Sequence, residues 1–391
     1  MSELFARRMG TVHRSFIREI LKVTADPEII SFAGGLPNPD LFPLESMDRA
    51  SREVFANIGA SALQYSTTEG DAGLRTIIAE RYAKRGLSVS PDSILITTGS
   101  QQILDIVAKV FLDKGDKVVI ERPGYLGAIQ AFSIFEPEFV AISLESDGPD
   151  LAELEQALQQ GAKCFYAVPN FQNPSGVSYS LEKRKAVAKL MDTYDALFIE
   201  DDPYGELRFM GEDLPSVYSF REKPGILCGS FSKIAAPGFR IGWVVAESPF
   251  YEKLVIAKQA SDLHTSTVAQ AIMRRYLETN DIESHVGLIK ERYGRQRQHM
   301  VDMIQQHFPS VVNITEPEGG MFLWAALPEG VSSMDLFDIA IKDKVAFVPG
   351  RPFYVDGTGE NTFRLNFSNS DEQKIEEGIK RLGSSISTLL D

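Results

Sequence analysis

Residues 93–121 read SILITTGSQQILDIVAKVFLDKGDKVVIE, and their pattern decides the fold. An apolar run at 93–98 gives way to a segment from Ser100 in which Ile103, Leu104, Val107, Val110 and Phe111 share one helical face. A second short apolar run follows at 117–121. The alternation continues outward, with apolar runs at 164–168, 196–200, 226–229 and 240–246 and a helical pattern at 180–193. These runs are short and continuous, as in strands buried on both faces. Strand and helix in alternation predict a mostly parallel sheet with helices on both sides, whose ligands sit at the strands' carboxyl ends. Beyond residue 248 the pattern turns long and helical. Ile282, Val286, Ile289, Tyr293, Met300 and Ile304 form one stripe, and Ile375, Ile379, Leu382, Ile386 and Leu389 another, with strand-like runs at 321–325 and 362–367. Upstream, SFAGGLPNPDLFP (31–43) must be irregular, and the Arg-dotted residues 1–30 are expected to hold a short helix. The predicted fold class is α/β. A large α/β domain spans 46–285, and residues 1–45 with 286–391 build a smaller α+β domain.

Composition narrows the function. Of 391 residues, 43% are hydrophobic and 24% charged, as in an ordinary globular enzyme. A net charge of −14 repels nucleic acid and anionic membranes, so neither is an expected partner. No apolar run reaches membrane length, and MSELFARRMG lacks the apolar core of a secretory signal. Cys164 and Cys228 both lie in apolar runs, so a disulfide framework is not expected and a reduced, cytoplasmic setting is. The chain has no nucleotide-binding loop, no GxGxxG, no HExxH, no CxxC and no GxSxG, and no metal site is expected. Ser230–Lys233 matches the S-x-x-K of some serine hydrolases, but the S-D-N and K-T-G that chemistry also needs are missing.

Four segments carry candidate chemistry. GSFSKIAAPGFRIGW (229–243) places Lys233 just after a buried strand, with Arg240 seven residues on. A lysine kept neutral by its surroundings forms Schiff bases, although a lysine after a strand is also an ordinary solvated residue. EDDPYGEL (200–207) ends a strand in consecutive acids, placed for a ligand or for a helix cap. QNPSG (172–176) alone reads as a turn, and TTGSQQ (97–102) as a helix start whose free N–H groups suit an anion or a plain cap.

Taken together at strand ends of one sheet, and in the chain order TGSQQ, QNPSG, DDPY, SFSK, PGFR and FRLNF, these segments resemble the fold-type I pyridoxal-phosphate enzymes. Within those, the chain is similar to the class I and II aminotransferases over essentially its whole length. SFAGGLPNPDLFP and TTGSQQILDIVAKVFLDKGD resemble the branch of 2-aminoadipate and kynurenine aminotransferases.

The resemblance implies pyridoxal 5′-phosphate as cofactor, held by Lys233 as a Schiff base, with the same amine then moving the substrate proton. Asp201 would pair with the pyridine nitrogen, Tyr204 and Asn173 would hydrogen-bond the ring oxygen, and Tyr125 would stack on the ring. Ser100, Gln101, Ser230, Ser232 and Arg240 would receive the phosphate, joined by Tyr65 from the other subunit of a homodimer. Arg364 would grip the substrate carboxylate beside Asn173, and Gly34, Gly35 and Leu36 would approach it by their backbone. Arg18, in SFIREIL, would meet a distal carboxylate, although a solvated helix position fits it as well. The implied reaction is ping-pong transfer of an amino group between an L-amino acid (2-aminoadipate, glutamate, or one aromatic or aliphatic) and a 2-oxo acid such as 2-oxoglutarate. A lyase or decarboxylase on the same fold, or an amino-acid-sensing domain without catalysis, are the alternatives.

Overall fold

The computed structural model describes residues 4–10, 20 and 26–391. Its strands, in chain order, are β1 (Ile30–Ser31), β2 (Ile94–Thr97), β3 (Lys117–Arg122), β4 (Glu138–Glu145), β5 (Gly148–Pro149), β6 (Cys164–Ala167) and β7 (Leu197–Asp201). They continue with β8 (Ile226–Ser230), β9 (Gly242–Ala246), β10 (Asn313–Ile314), β11 (Phe322–Ala326), β12 (Val345–Ala346), β13 (Val348–Pro349) and β14 (Thr362–Asn366). An eight-stranded sheet runs in the order β2-β9-β8-β7-β6-β3-β4-β5. β8, β7, β6, β3 and β4 are mutually parallel, and only β9 and the short β5 run against the rest. Helices fill the connections, among them Ser100–Phe111, Leu126–Ser133, Leu151–Gln159 and Leu181–Thr193.

The α/β architecture read from the sequence is therefore the one observed. The strands β2, β6, β8 and β9 are buried at every position, which is why they read as unbroken apolar runs. Each fully buried Val, Leu or Ile there contributes about 1.5–3 kcal/mol. β4 lies outside the runs read from the sequence: it is half-buried along most of its length, near the sheet edge. The run at 240–246 is also shorter than expected. Arg240 adopts the left-handed conformation (φ 54°, ψ 48°), and the strand begins at Gly242.

A second sheet, β10-β11-β14-β13, is antiparallel throughout. The long helices Ile282–His307 and Glu372–Leu390 pack together, their buried stripes matching the predicted ones except at Leu389, which is only half-buried. β1 pairs with β12, which ties residues 30–31 to the C-terminal part of the chain. Of the N-terminal residues described, Arg7–Gly10 form a single 3-10 turn. No helix among the described residues is long and apolar enough to cross a membrane.

Candidate active site

Because β2, β3, β6, β7 and β8 point the same way, their carboxyl ends deliver Ser100, Tyr125, Asn173, Asp201, Tyr204, Ser232 and Lys233 to one edge of the sheet. β9 runs in reverse, so its amino end brings Arg240 to that edge as well. Three backbones converge there. A Cβ on Gly242 would stand 2.8 Å from the carbonyl carbon of Gly99, and one on Gly99 (φ +77°) would overlap the Arg240 guanidinium. Only glycine fits at either point. These strand ends, together with Gly35 and Arg364, line a cavity of about 400 Å³.

At one wall the helix Ser100–Phe111 starts without a side-chain cap. Its first N–H groups have no partner within the helix and carry its positive end. Gln101 donates to the Gly127 carbonyl (3.0 Å), and Ser232 and Arg240 complete the wall. Ser230 stands one layer back. Its hydroxyl donates to Ser232 Oγ (2.9 Å) and accepts from the Ser232 N–H (3.1 Å), so it orients Ser232 while the cavity itself is lined by Ser232. The wall suits a phosphate monoester.

Asp201, at the end of β7, is 2% exposed. Its Oδ2 accepts from the Tyr166 hydroxyl (2.7 Å), whereas Oδ1 is buried without a partner. Burial pushes this carboxyl up to about 7, against the lowering effect of Tyr166. An unpaired carboxylate oxygen on a cavity wall fits a cationic ring nitrogen. Tyr166 was not singled out from the sequence, because CFYA reads as plain core. The strand register supplies the signal: Tyr166 lies opposite Ile199, two residues before Asp201 and therefore on the same face.

Lys233 donates from Nζ to the Gly35 carbonyl (3.0 Å). Burial, helped by the nearby Arg364 and Arg240 charges, lowers its ammonium to about 8. Asn173 donates to the Tyr204 hydroxyl (3.4 Å) and accepts from Arg364 Nη1 (2.7 Å). Arg364 Nη2 donates to the Ala33 carbonyl (2.7 Å), Nε is buried without a partner, and the guanidinium stacks 4.3 Å from the Phe322 ring. This arginine, 2% exposed, has neutral partners around it, and burial lowers it to about 10. Among the described residues no carboxylate pairs with it. Tyr125 lines the same cavity, and burial raises its phenol to about 12. Burial raises Tyr204 as well.

One predicted residue is not gathered here. Tyr65 is 79% exposed, packed edge-on against His264 (5.8 Å) and outside the cavity. Arg18 lies outside the described residues. Among the described residues no cluster of His, Cys, Asp and Glu could hold a metal ion.

Comparison with known proteins points the same way as this geometry. The family model described as aminotransferase class I and II matches residues 28–382. The chain is 43% identical over 390 residues to aromatic-amino-acid aminotransferase 1 of Thermococcus litoralis, covering 98% of this chain and 94% of that one. It is 42% identical over 394 residues to the 2-aminoadipate transaminase of Thermus thermophilus, covering 100% and 98%. The crystal structure of LysN, an alpha-aminoadipate aminotransferase from Thermus thermophilus complexed with N-(5'-phosphopyridoxyl)-L-leucine, superposes with a TM-score of 0.94 at 41% identity, covering 100% and 98%.

Proposed function

The chain belongs to the class I and II aminotransferases and works with pyridoxal 5′-phosphate, and we propose that it transfers the amino group of an L-amino acid with a long side chain to 2-oxoglutarate in ping-pong order. The donors are 2-aminoadipate, glutamate and aromatic or aliphatic amino acids. Similarity to enzymes named for aromatic amino acids and for 2-aminoadipate supports this range. The observation that carries the reading is the pairing, in one cavity, of an amine lowered to about 8 with a buried guanidinium that has no carboxylate partner among the described residues.

When bound, the cofactor supplies an electron sink for the charge left when the Cα proton departs. The chain's own groups do the rest. Lys233 holds the cofactor and carries the proton to and from Cα. Asp201 stays ionised against the ring nitrogen, while Tyr204 and Asn173 bond the ring oxygen and Tyr125 stacks on the ring. The N–H groups of Ser100 and Gln101, with Ser232 and Arg240, bind the phosphate, and Ser230 acts through Ser232. Arg364, with Asn173, binds the substrate carboxylate as a fork that a lysine cannot copy, beneath the Gly35 backbone. That clamp opposes loss of the carboxylate and so weighs against a decarboxylase. Arg18 serves distal carboxylates. Tyr65 reaches the phosphate of a second subunit, a reading supported by its own exposure and by that of Leu63, two residues before it. In the same reading, residues 46–285 form the cofactor domain and residues 1–45 with 286–391 the small domain, and the enzyme is cytoplasmic.

The test is the visible spectrum of the cofactor-loaded protein as L-2-aminoadipate, L-glutamate, L-leucine and L-phenylalanine are added separately. Loss of the band, and its return with 2-oxoglutarate, is expected; a band unmoved by every donor overturns the reading. Tyr166→Phe offers a second check. It strips Asp201 Oδ2 of its donor, raises the carboxyl further, and should weaken cofactor binding about ten-fold at neutral pH. Equilibrium dialysis measures this, and an unchanged affinity would contradict the role given to Tyr166.

A further inference from the structure

A second buried carboxylate sits behind the substrate clamp. Glu121, at the end of β3, is 1% exposed. Ile120 is the strand partner of Tyr166, so Glu121 points to the sheet face opposite Tyr166 and Asp201. Its Oε1 accepts from the Tyr179 hydroxyl (2.5 Å), and its Oε2 from Gln172 Nε2 (3.0 Å) and the Val168 N–H (3.4 Å). No cation offsets its charge among the described residues, and burial outweighs those three donors, raising the carboxyl to about 7. A leucine would fill such a place without the desolvation cost.

The carboxylate's chief partner explains what it holds. Gln172 Nε2 also donates to the Pro123 carbonyl (2.6 Å), and its Oε1 accepts from both the N–H (2.9 Å) and the hydroxyl (2.7 Å) of Ser175. The Gln172 N–H donates to the Val177 carbonyl (2.8 Å), and the Gly176 N–H to the Gln172 carbonyl (2.6 Å). Every hydrogen-bonding position on Gln172 is therefore used to lock residues 172–177. The next residue, Asn173, is the side chain that meets Arg364 and Tyr204.

We propose that Glu121 is a positioning residue for the substrate's α-carboxylate: through Gln172 it fixes the turn that presents Asn173 to Arg364. This rests on the aminotransferase reading. Glu121 does not line the cavity, so its effect passes through the turn.

In the cofactor-loaded enzyme, Glu121→Leu should raise KM for both the amino acid and the 2-oxo acid about ten-fold, with kcat within about three-fold of wild type. Because Asn173 is also proposed to bond the ring oxygen, the visible band should shift slightly, while cofactor affinity stays within about three-fold, since the phosphate wall and Asp201 are untouched. Glu121→Gln keeps an oxygen for Gln172 and can turn its amide toward the Tyr179 hydroxyl, so it should bring KM back to within about three-fold. In an Asn173→Ala background, Glu121→Leu should change KM by less than about two-fold, because the group it acts through is gone. Effects that multiply in the double variant, or a lowered Tm with KM untouched, overturn the proposal. If Glu121→Leu does not fold, Gln172→Met cuts the same link from the other side and is read by the same KM. Wild-type enzyme is measured first: absent turnover there sinks the aminotransferase reading, whereas normal turnover with KM unmoved in the variants sinks the role of Glu121 alone.

Discussion

Lys233→Ala is expected to cut transamination at least about a thousand-fold, because in the proposed mechanism one amine both holds the cofactor and carries the proton. Lys233→Arg should lose as much, since a guanidinium keeps its proton at any working pH. Single-turnover kinetics with L-glutamate measure both, and a Lys233→Ala enzyme within about ten-fold of wild type would remove Lys233 from the mechanism. The same side chain predicts a pH dependence. An amine must shed its proton before it attacks a carbonyl, and burial beside Arg364 and Arg240 lowers this ammonium to about 8. Uptake of pyridoxal phosphate by the cofactor-free chain should therefore quicken as pH rises through about 8, well below the range of an exposed lysine. A profile that rises only above about pH 10, where an ordinary lysine titrates, would show that Lys233 is not the reacting amine.

Asp201→Asn should cost about a hundred- to a thousand-fold in kcat/KM. The substitution keeps the shape, leaves an oxygen for the Tyr166 hydroxyl, and removes the charge proposed to face the cofactor's cationic ring nitrogen. Breaking a buried pair of that kind costs about 3–5 kcal/mol. The paired measurement is cofactor affinity, which should fall with activity, whereas Asp201→Glu should retain part of both. Equal activity in Asp201→Asn and wild type would mean that the unpartnered Oδ1 has another use.

Most of the frame of this site was legible in the sequence because parallel strands are buried on both faces. Their apolar runs stand out, and the residues just after them, Ser100, Asn173, Asp201 and Lys233, are where the cavity lies. What escaped depends on registers and faces that one sequence does not state. Tyr166 looks like core until the register aligns it with Asp201. Glu121 looks like a solvated strand end until Gln172 and Tyr179 are seen to enclose it. Ser230 and Ser232 are indistinguishable in SFSK, and only the fold separates the one that lines the cavity from the one behind it. β4 carries no such clear signal because only Ile142 in it is fully buried and the rest of the strand is half-buried or exposed.

The hydrogen bond from Arg364 to the Ala33 carbonyl joins residues 331 apart in the chain, and that from Lys233 to Gly35 joins residues 198 apart. Closing loops of such length carries an entropic cost that local structure alone does not repay. The clamp therefore belongs to the folded molecule as a whole, and the cofactor's site is a property of the native state. Ligand that binds the native state alone shifts the unfolding equilibrium by mass action, by about 2.7 kcal/mol at a hundred-fold excess over Kd. The melting temperature of this enzyme should thus rise with the concentration of free cofactor, so that one ligand both equips the site and holds the distant chain segments together.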